Sequence, residues 1–359
     1  HDGVLHEAMS IPHRMQSGVL SRVKIMADLD IAERRVPQDG RMGLTVGGKP
    51  IDMRVASLPT VYGEKIVIRL LDRSNVMLRL EDLGFSEKAL ARYRKSFTKP
   101  YGAILVTGPT GSGKSTTLYA TLNILNSPEK NIITVEDPVE YRLNRINQVH
   151  VNPRAGLTFA AGLRSILRCD PDIIMVGEMR DYETAKMGVD ASTTGHLVLT
   201  TLHTNNAPET IIRLLDMGID PFSFADSLLC VLAQRLVRSL CPACKESYHP
   251  TEAEFQELAR HYGERAFCSL DLAYDDRTTL FRPKGCPACN HTGYRGMMGV
   301  FELLIASDNI KQMIISRKSI AAIRKTAAGE GMTTLLQEGV LKVLRGETDL
   351  IEVLSICMR

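Results

Sequence analysis

An α/β fold built on a parallel β-sheet is predicted by three observations. From Ala103 onward, short apolar runs alternate with helix-patterned segments, the arrangement of strands joined by crossover helices. The apolar run at residues 104–107 leads directly into a glycine loop, Gly-x-x-x-x-Gly-Lys-Ser, which begins at Gly108 and ends at Ser115. Residues 240–300 interrupt the alternation with two Cys-Pro-Ala-Cys pairs, so a four-cysteine insert is expected within the α/β domain.

The elements follow in chain order. Residues 1–95 read as a small α+β domain. Ser17-Gly18 signals a turn, and residues 19–26 carry apolar positions at helical spacing. Turns are expected at residues 37–40 and at Gly47-Gly48, and residues 51–55 and 65–71 alternate as half-buried strands do. Residues 81–97 read as a helix-bearing segment that ends in a linker at 96–102. The domain at 103–359 then opens with the strand at 104–107, a helix over 114–125, and buried strands at 131–135, 172–176 and 197–202. Residues 301–359 are expected to be helical, with apolar periodicity through 310–315 and 332–344. The chain opens on His1 instead of methionine, so an upstream region is expected.

Bulk properties exclude several classes. The 44 Lys and Arg residues against 41 Asp and Glu give a net charge of +3, too near neutral for a protein that coats nucleic acid. Aromatic residues make up 5%, few for a channel that stacks bases. No apolar run approaches the length that spans a bilayer, and no secretory signal is visible. Direct membrane insertion and nucleic-acid binding are therefore not expected, and a reducing cytoplasm is the expected location.

The glycine loop has the residues that a phosphate cradle needs. Gly108, Gly111 and Gly113 let the backbone curl, with Pro109, Thr110 and Ser112 between them, so that successive N–H groups face phosphate oxygens. The loop ends on a helix N-terminus, whose partial positive charge favours the same anion. Lys114 is expected to reach the β- and γ-phosphates of ATP, and Ser115, followed by Thr116, to ligate Mg²⁺. Two strands end in carboxylates, at Glu136-Asp137 and at Gly177-Glu178, and ligands of open parallel sheets sit at the strands' carboxyl ends. Glu178 is the candidate base that orients or deprotonates water, and Glu136 can hold Mg²⁺ through water. Gly177 stands where a metal-binding aspartate is usual. His196 and His203 bracket the strand at 197–202, where either a structural or a catalytic part is open to them.

Cys241, Cys244, Cys286 and Cys289 can close a tetrahedral Zn²⁺ shell with no open position, which makes a structural site. A redox dithiol pair or a nucleic-acid-binding ribbon are the alternatives. Cys169, Cys230 and Cys268 read as bystanders.

Together these pieces resemble the secretion ATPases that power type IV pilus assembly and type II secretion. The matching runs are residues 32–41, the Walker A box at 108–116, an acidic box at 133–141, a Walker B region at 163–181 with Gly-Glu in place of Asp-Glu, a histidine box at 194–207, and the second half of a zinc module at 284–295. The resemblance implies a RecA-like ATPase domain, a PAS-like second N-terminal domain, and a homo-hexamer with each nucleotide between the two domains and a neighbouring subunit. It implies ATP, Mg²⁺ and Zn²⁺ as cofactors, and an inner-membrane platform protein as partner. It further implies arginines of the N-terminal domain at the γ-phosphate. Arg54 and Arg69 are the leading candidates and Arg41 a weaker one, with solvated strand-face arginines as the alternative. Arg164, Arg168 and Arg180 resemble arginines that support the site or the subunit contact. Retraction ATPases lack the zinc module, so pilus extension or secretion is expected; pilus assembly is the leading reading, with type II secretion and a nucleic-acid translocase as rivals. The family's first N-terminal domain has no counterpart in these residues.

Overall fold

Alternating apolar and polar residues over the first 72 positions build a three-stranded antiparallel meander. In the computed structural model, which describes residues 5, 7–72, 79–270 and 272–357, the chain forms two units, residues 3–77 and 78–359. The first contains α1 (Gln16–Met26), β1 (Gln38–Val46), β2 (Lys49–Thr60) and β3 (Gly63–Asp72), in the sheet order β1-β2-β3. Lys24 of α1 is 1% exposed; its ammonium donates to the Glu33 carbonyl at 2.7 Å and pairs with the Glu64 carboxylate of β3, which ties helix to sheet. The turn expected at 37–40 is instead the start of β1, whose register runs from Gln38 opposite Ser57 to Val46 opposite Lys49.

The second unit opens with α2 (Glu87–Phe97), β4 (Gly102–Thr107), α3 (Lys114–Leu125), β5 (Ile132–Glu136), β6 (Asn147–His150), α4 (Phe159–Ile166), β7 (Ile173–Val176), α5 (Tyr182–Thr193) and β8 (Leu197–Leu202). It continues with α6 (Ala207–Asp216), α7 (Pro221–Ser227), β9 (Leu228–Leu240), β10 (Glu246–Tyr248), α8 (Glu252–Tyr262), α9 (Glu264–Cys268), β11 (Leu280–Arg282) and β12 (Tyr294–Ile305). Four helices close it: α10 (Asp308–Ile315), α11 (Ile320–Gly329), α12 (Leu335–Leu344) and α13 (Leu350–Cys357). The seven-stranded sheet has the order β12-β9-β4-β8-β7-β5-β6 and is parallel except for β12 against β9.

Helices cover both faces of this sheet, which is why β4, β5, β7 and β8 are buried throughout and read as apolar runs. Leu105 of β4 joins a core with residues of α4, α5, α6 and α10, while Ile104 and Val106 join one with α2 and α3. The expected boundary at 95 and linker at 96–102 are corrected by this packing. Tyr93 and Phe97 of α2 are fully buried in the second unit, and Gly102 already begins β4. The chain therefore passes between units near residue 77. Among the described residues, no helix is long and apolar enough to cross a membrane.

Candidate nucleotide site and zinc centre

The glycine loop lies between the carboxyl end of β4 and α3. Helices α4, α5, α6, α7, α10, α11 and α12 start on a Ser, Thr, Asp or Asn whose side chain accepts a hydrogen bond from an early helix N–H. In contrast, α3 starts on Gly113, at φ +85°, without a capping side chain, so its first N–H groups are left for an anion. Gly108 has φ +149°, and a Cβ there would meet the Gln234 carbonyl and the Ser112 hydroxyl at 2.5 Å. The Ser112 hydroxyl is buried without a hydrogen-bond partner, a polar atom waiting at the loop's crest. Ser115 is exposed at the start of α3, in position for a metal ligand.

The Lys114 ammonium donates to the carbonyls of Gly108 at 2.8 Å and Pro109 at 3.0 Å. Burial brings this lysine down to about 8; the Glu178 carboxylate opposes the shift and Arg235 adds to it. Below about 8 Lys114 is charged in both folded and unfolded chain, and burying that charge opposes folding. Between about 8 and its ordinary 10.5 the unfolded chain holds the extra proton, so stability rises with pH across that window. ATP binding runs the other way, because only the ammonium attracts phosphate. Affinity for ATP is expected to fall about tenfold between pH 7 and pH 9. A fluorescence titration over that range checks this, and a flat profile would refute it.

Glu178 follows β7 by two residues and is 8% exposed. Its Oε1 pairs with the Arg180 guanidinium, while its Oε2 is buried, has no hydrogen-bond partner, and faces His203 Nε2 at 3.5 Å. His203 follows β8, at the same end of the sheet as the loop. Gly177 stands in the place of the usual aspartate, and a Cβ there would lie 3.3 Å from the Glu136 Cα and the Val135 carbonyl, so a side chain would need its neighbours to give by a few tenths of an ångström. Glu136, at the end of β5, accepts from Thr134 at 2.5 Å, from Gln148 at 3.1 Å and from the Tyr119 hydroxyl. Three of its roughly four lone-pair sites are thus taken, which leaves room for a water-mediated contact and not for a metal cage. Burial pushes its pKa up, against those three hydrogen bonds.

His196 does not belong to this group. It precedes β8, and Gly102, its neighbour across the sheet, donates to its carbonyl. The six residues of β8 put it roughly 20 Å from the nucleotide end. Its ring Nδ1 lies 3.0 Å from the Ala191 carbonyl, a contact that caps α5, so within this chain the fold does not bring it to the glycine loop. Arg164 pairs with Glu183 on the surface, and Arg168 donates to the Arg164 carbonyl at 2.9 Å.

In the first unit, the sheet register brings the three candidate arginines together. Arg41 on β1 is directly opposite Arg54 on β2, which is directly opposite Arg69 on β3. Directly opposed residues share a face, so the three guanidiniums form one row across the sheet.

The four cysteines converge although 41 residues separate the two pairs. Their sulfurs all lie within 4.8 Å of one another, with Sγ···Sγ distances of 4.0 Å for Cys241–Cys286, 3.8 Å for Cys244–Cys289 and 3.7 Å for Cys286–Cys289. A tetrahedral ion with bonds of about 2.3 Å to sulfur has edges of about 3.8 Å, so the cage fits Zn²⁺. The Cys289 sulfur accepts the backbone N–H groups of Cys286 and Gly293, each at 3.2 Å. Burial opposes charge there, but those donors outweigh it and bring the thiol down to about 6.

Sequence reasoning did not single out Gln234 and Arg235, two polar residues inside the buried strand β9 that contact the loop and the segment after β8. Their position inside an otherwise apolar run was the available signal.

The model of the family described as type II/IV secretion system protein matches residues 1–355. The chain is 50% identical over 355 residues to the type II secretion system protein E of Dickeya dadantii, covering 99% of this chain and 68% of that one. To the type IV pilus assembly ATPase PilB of Myxococcus xanthus it is 48% identical over 357 residues, covering 99% and 61%. Among solved structures, the pilus retraction motor PilT with bound ADP aligns over 97% of this chain and 80% of that one, with 26% identity and a TM-score of 0.63. The chain spans about two thirds of the length of the curated relatives it matches.

Proposed function

The chain belongs to the type II/IV secretion system protein family, and from that premise we propose that it is an ATP-hydrolysing motor that powers type IV pilus assembly. The observation that carries the reading is the buried Glu178 carboxylate, whose Oε2 faces His203 at the sheet end where the glycine loop leaves its own N–H groups uncapped. In the proposed step, the loop N–H groups and Lys114 hold the phosphates of ATP. Ser115 would hold Mg²⁺, which would supply charge neutralisation at the phosphates. Glu178 Oε2 orients the attacking water and accepts its proton, with His203 beside it. The family resemblance implies that arginines reach the γ-phosphate, and Arg41, Arg54 and Arg69, in register across the sheet of the first unit, are the candidates.

Six copies would form a ring at the cytoplasmic face of the inner membrane, and movement between the two units would turn a platform protein that adds pilins. Type II secretion is the second reading, favoured by the relatives that carry that name. Phosphate release with Mg²⁺ and ATP tests the motor. Arg54→Ala and Arg69→Ala are each expected to lower turnover between about 10-fold and 100-fold, with ATP still bound. Wild-type turnover in both would remove the arginine row from the mechanism. Strong stimulation by single-stranded DNA would favour a translocase instead. Complementation of strains that lack either the pilus assembly ATPase or the secretion ATPase distinguishes the two uses.

A further inference from the structure

We propose that Gln234 and Arg235, adjacent on β9, are positioning residues: Gln234 sets the shape of the phosphate loop, and Arg235 sets the segment that carries His203. The proposal rests on the reading of this site as one that binds and hydrolyses ATP.

A glutamine 1% exposed among Val231, Leu232, Ala233 and Val237, all fully buried, is unfavourable unless its amide is satisfied. It is satisfied by the loop and the first turn of α3. Gln234 Nε2 donates to the Ser112 carbonyl at 2.5 Å, and its Oε1 accepts from the Thr117 hydroxyl at 2.8 Å. Its backbone carbonyl occupies the space that a Gly108 side chain would need. The contacts therefore reach the root of the loop, its crest and the helix after it. The peptide bond is planar and trans, so its carbonyl and N–H point in opposite directions. Drawing the Ser112 carbonyl toward β9 turns the Gly113 N–H away from β9 and into the loop, where an oxyanion needs a donor.

Arg235 points to the opposite face of the strand. It is 5% exposed and donates to the Asn205 carbonyl at 3.1 Å, to Asn205 Oδ1 at 3.2 Å and to the Gln234 carbonyl at 3.2 Å. Asn205 is two residues past His203, which faces Glu178. One dipeptide thus spans the binding half and the hydrolytic half of the site.

The test measures the affinity of a fluorescent ATP analogue and the turnover at saturating ATP for the full chain. Gln234→Leu is expected to weaken affinity about tenfold while leaving saturated turnover within about twofold of wild type. Thr117→Val, which is isosteric, should weaken affinity about threefold. Arg235→Lys keeps the charge but loses the fork, and should lower saturated turnover about tenfold with affinity unchanged. A purely structural role would move both parameters together. Wild-type affinity in both Gln234→Leu and Thr117→Val overturns the proposal, as does the same change of parameter in the Gln234 and Arg235 variants. Should Gln234→Leu fail to fold, Thr117→Val decides. A wild-type chain that neither binds nor hydrolyses ATP would instead overturn the functional reading itself.

Discussion

Replacing Glu178 by glutamine is expected to lower phosphate release at least about 100-fold while ATP binding persists. The substitution preserves shape and removes the one property the proposed step uses, a carboxylate oxygen able to take a proton. In the folded chain Oε2 has no hydrogen-bond partner to compensate its burial, and the Arg180 contact is spent on Oε1. Oε2 instead faces His203 Nε2 at 3.5 Å. One side effect has a known sign. Glu178 holds the Lys114 proton, and without it Lys114 falls further below about 8. Binding is therefore best compared at a pH well under that titration, by equilibrium titration with the ATP analogue and by single-turnover phosphate release. Turnover equal to wild type would take Glu178 out of the mechanism.

Removal of zinc, by chelation or by Cys286→Ser, is expected to destabilise the second unit by at least about 3 kcal/mol, a fall in Tm of about 10 °C. The reason is the position of the cage. Cys241 directly follows β9, and around it Lys245 donates to the Gly346 carbonyl at 2.8 Å, Arg238 pairs with Glu352 at 2.7 Å, and the Tyr294 hydroxyl contacts Asp349. The hairpin of β10 and β11, with α8 and α9, packs Phe255, Leu258 and Leu280 against Val340, Val343 and Val353 of the closing helices. Four sulfurs this close repel one another as thiolates, so without a cation they must take protons or separate. Increased cleavage within residues 240–300 by a low dose of protease, together with metal content of about one zinc per chain in the untreated protein, would agree with this. An unchanged melting curve after chelation would rule out a structural ion.

Parts of this molecule could be read in one dimension because their physics is local. The glycine loop needs a fixed spacing, and the helix it opens begins and ends at Lys114 and Leu125 as the sequence predicts. The central strands were legible because helices on both faces force continuous apolar runs. The cysteine pairs were legible because a tight turn must present two sulfurs to one ion. By contrast, β6, β9 and β12 escaped sequence reading, because their pairing is set by distant partners and not by their own pattern.

What composition and spacing determined, then, was the chemical inventory: a glycine loop, acidic strand ends, histidines, arginines and two cysteine pairs. Tertiary structure alone decided who stands beside whom. Two histidines bracket one strand, and only the parallel topology puts His203 beside Glu178 and His196 at the far end. Three arginines on separate strands become one row only through antiparallel register. The polar pair inside β9 reaches the glycine loop only because β9 lies next to β4. Residue type is a property of position along the chain, whereas adjacency across a sheet depends on contacts that no local pattern encodes.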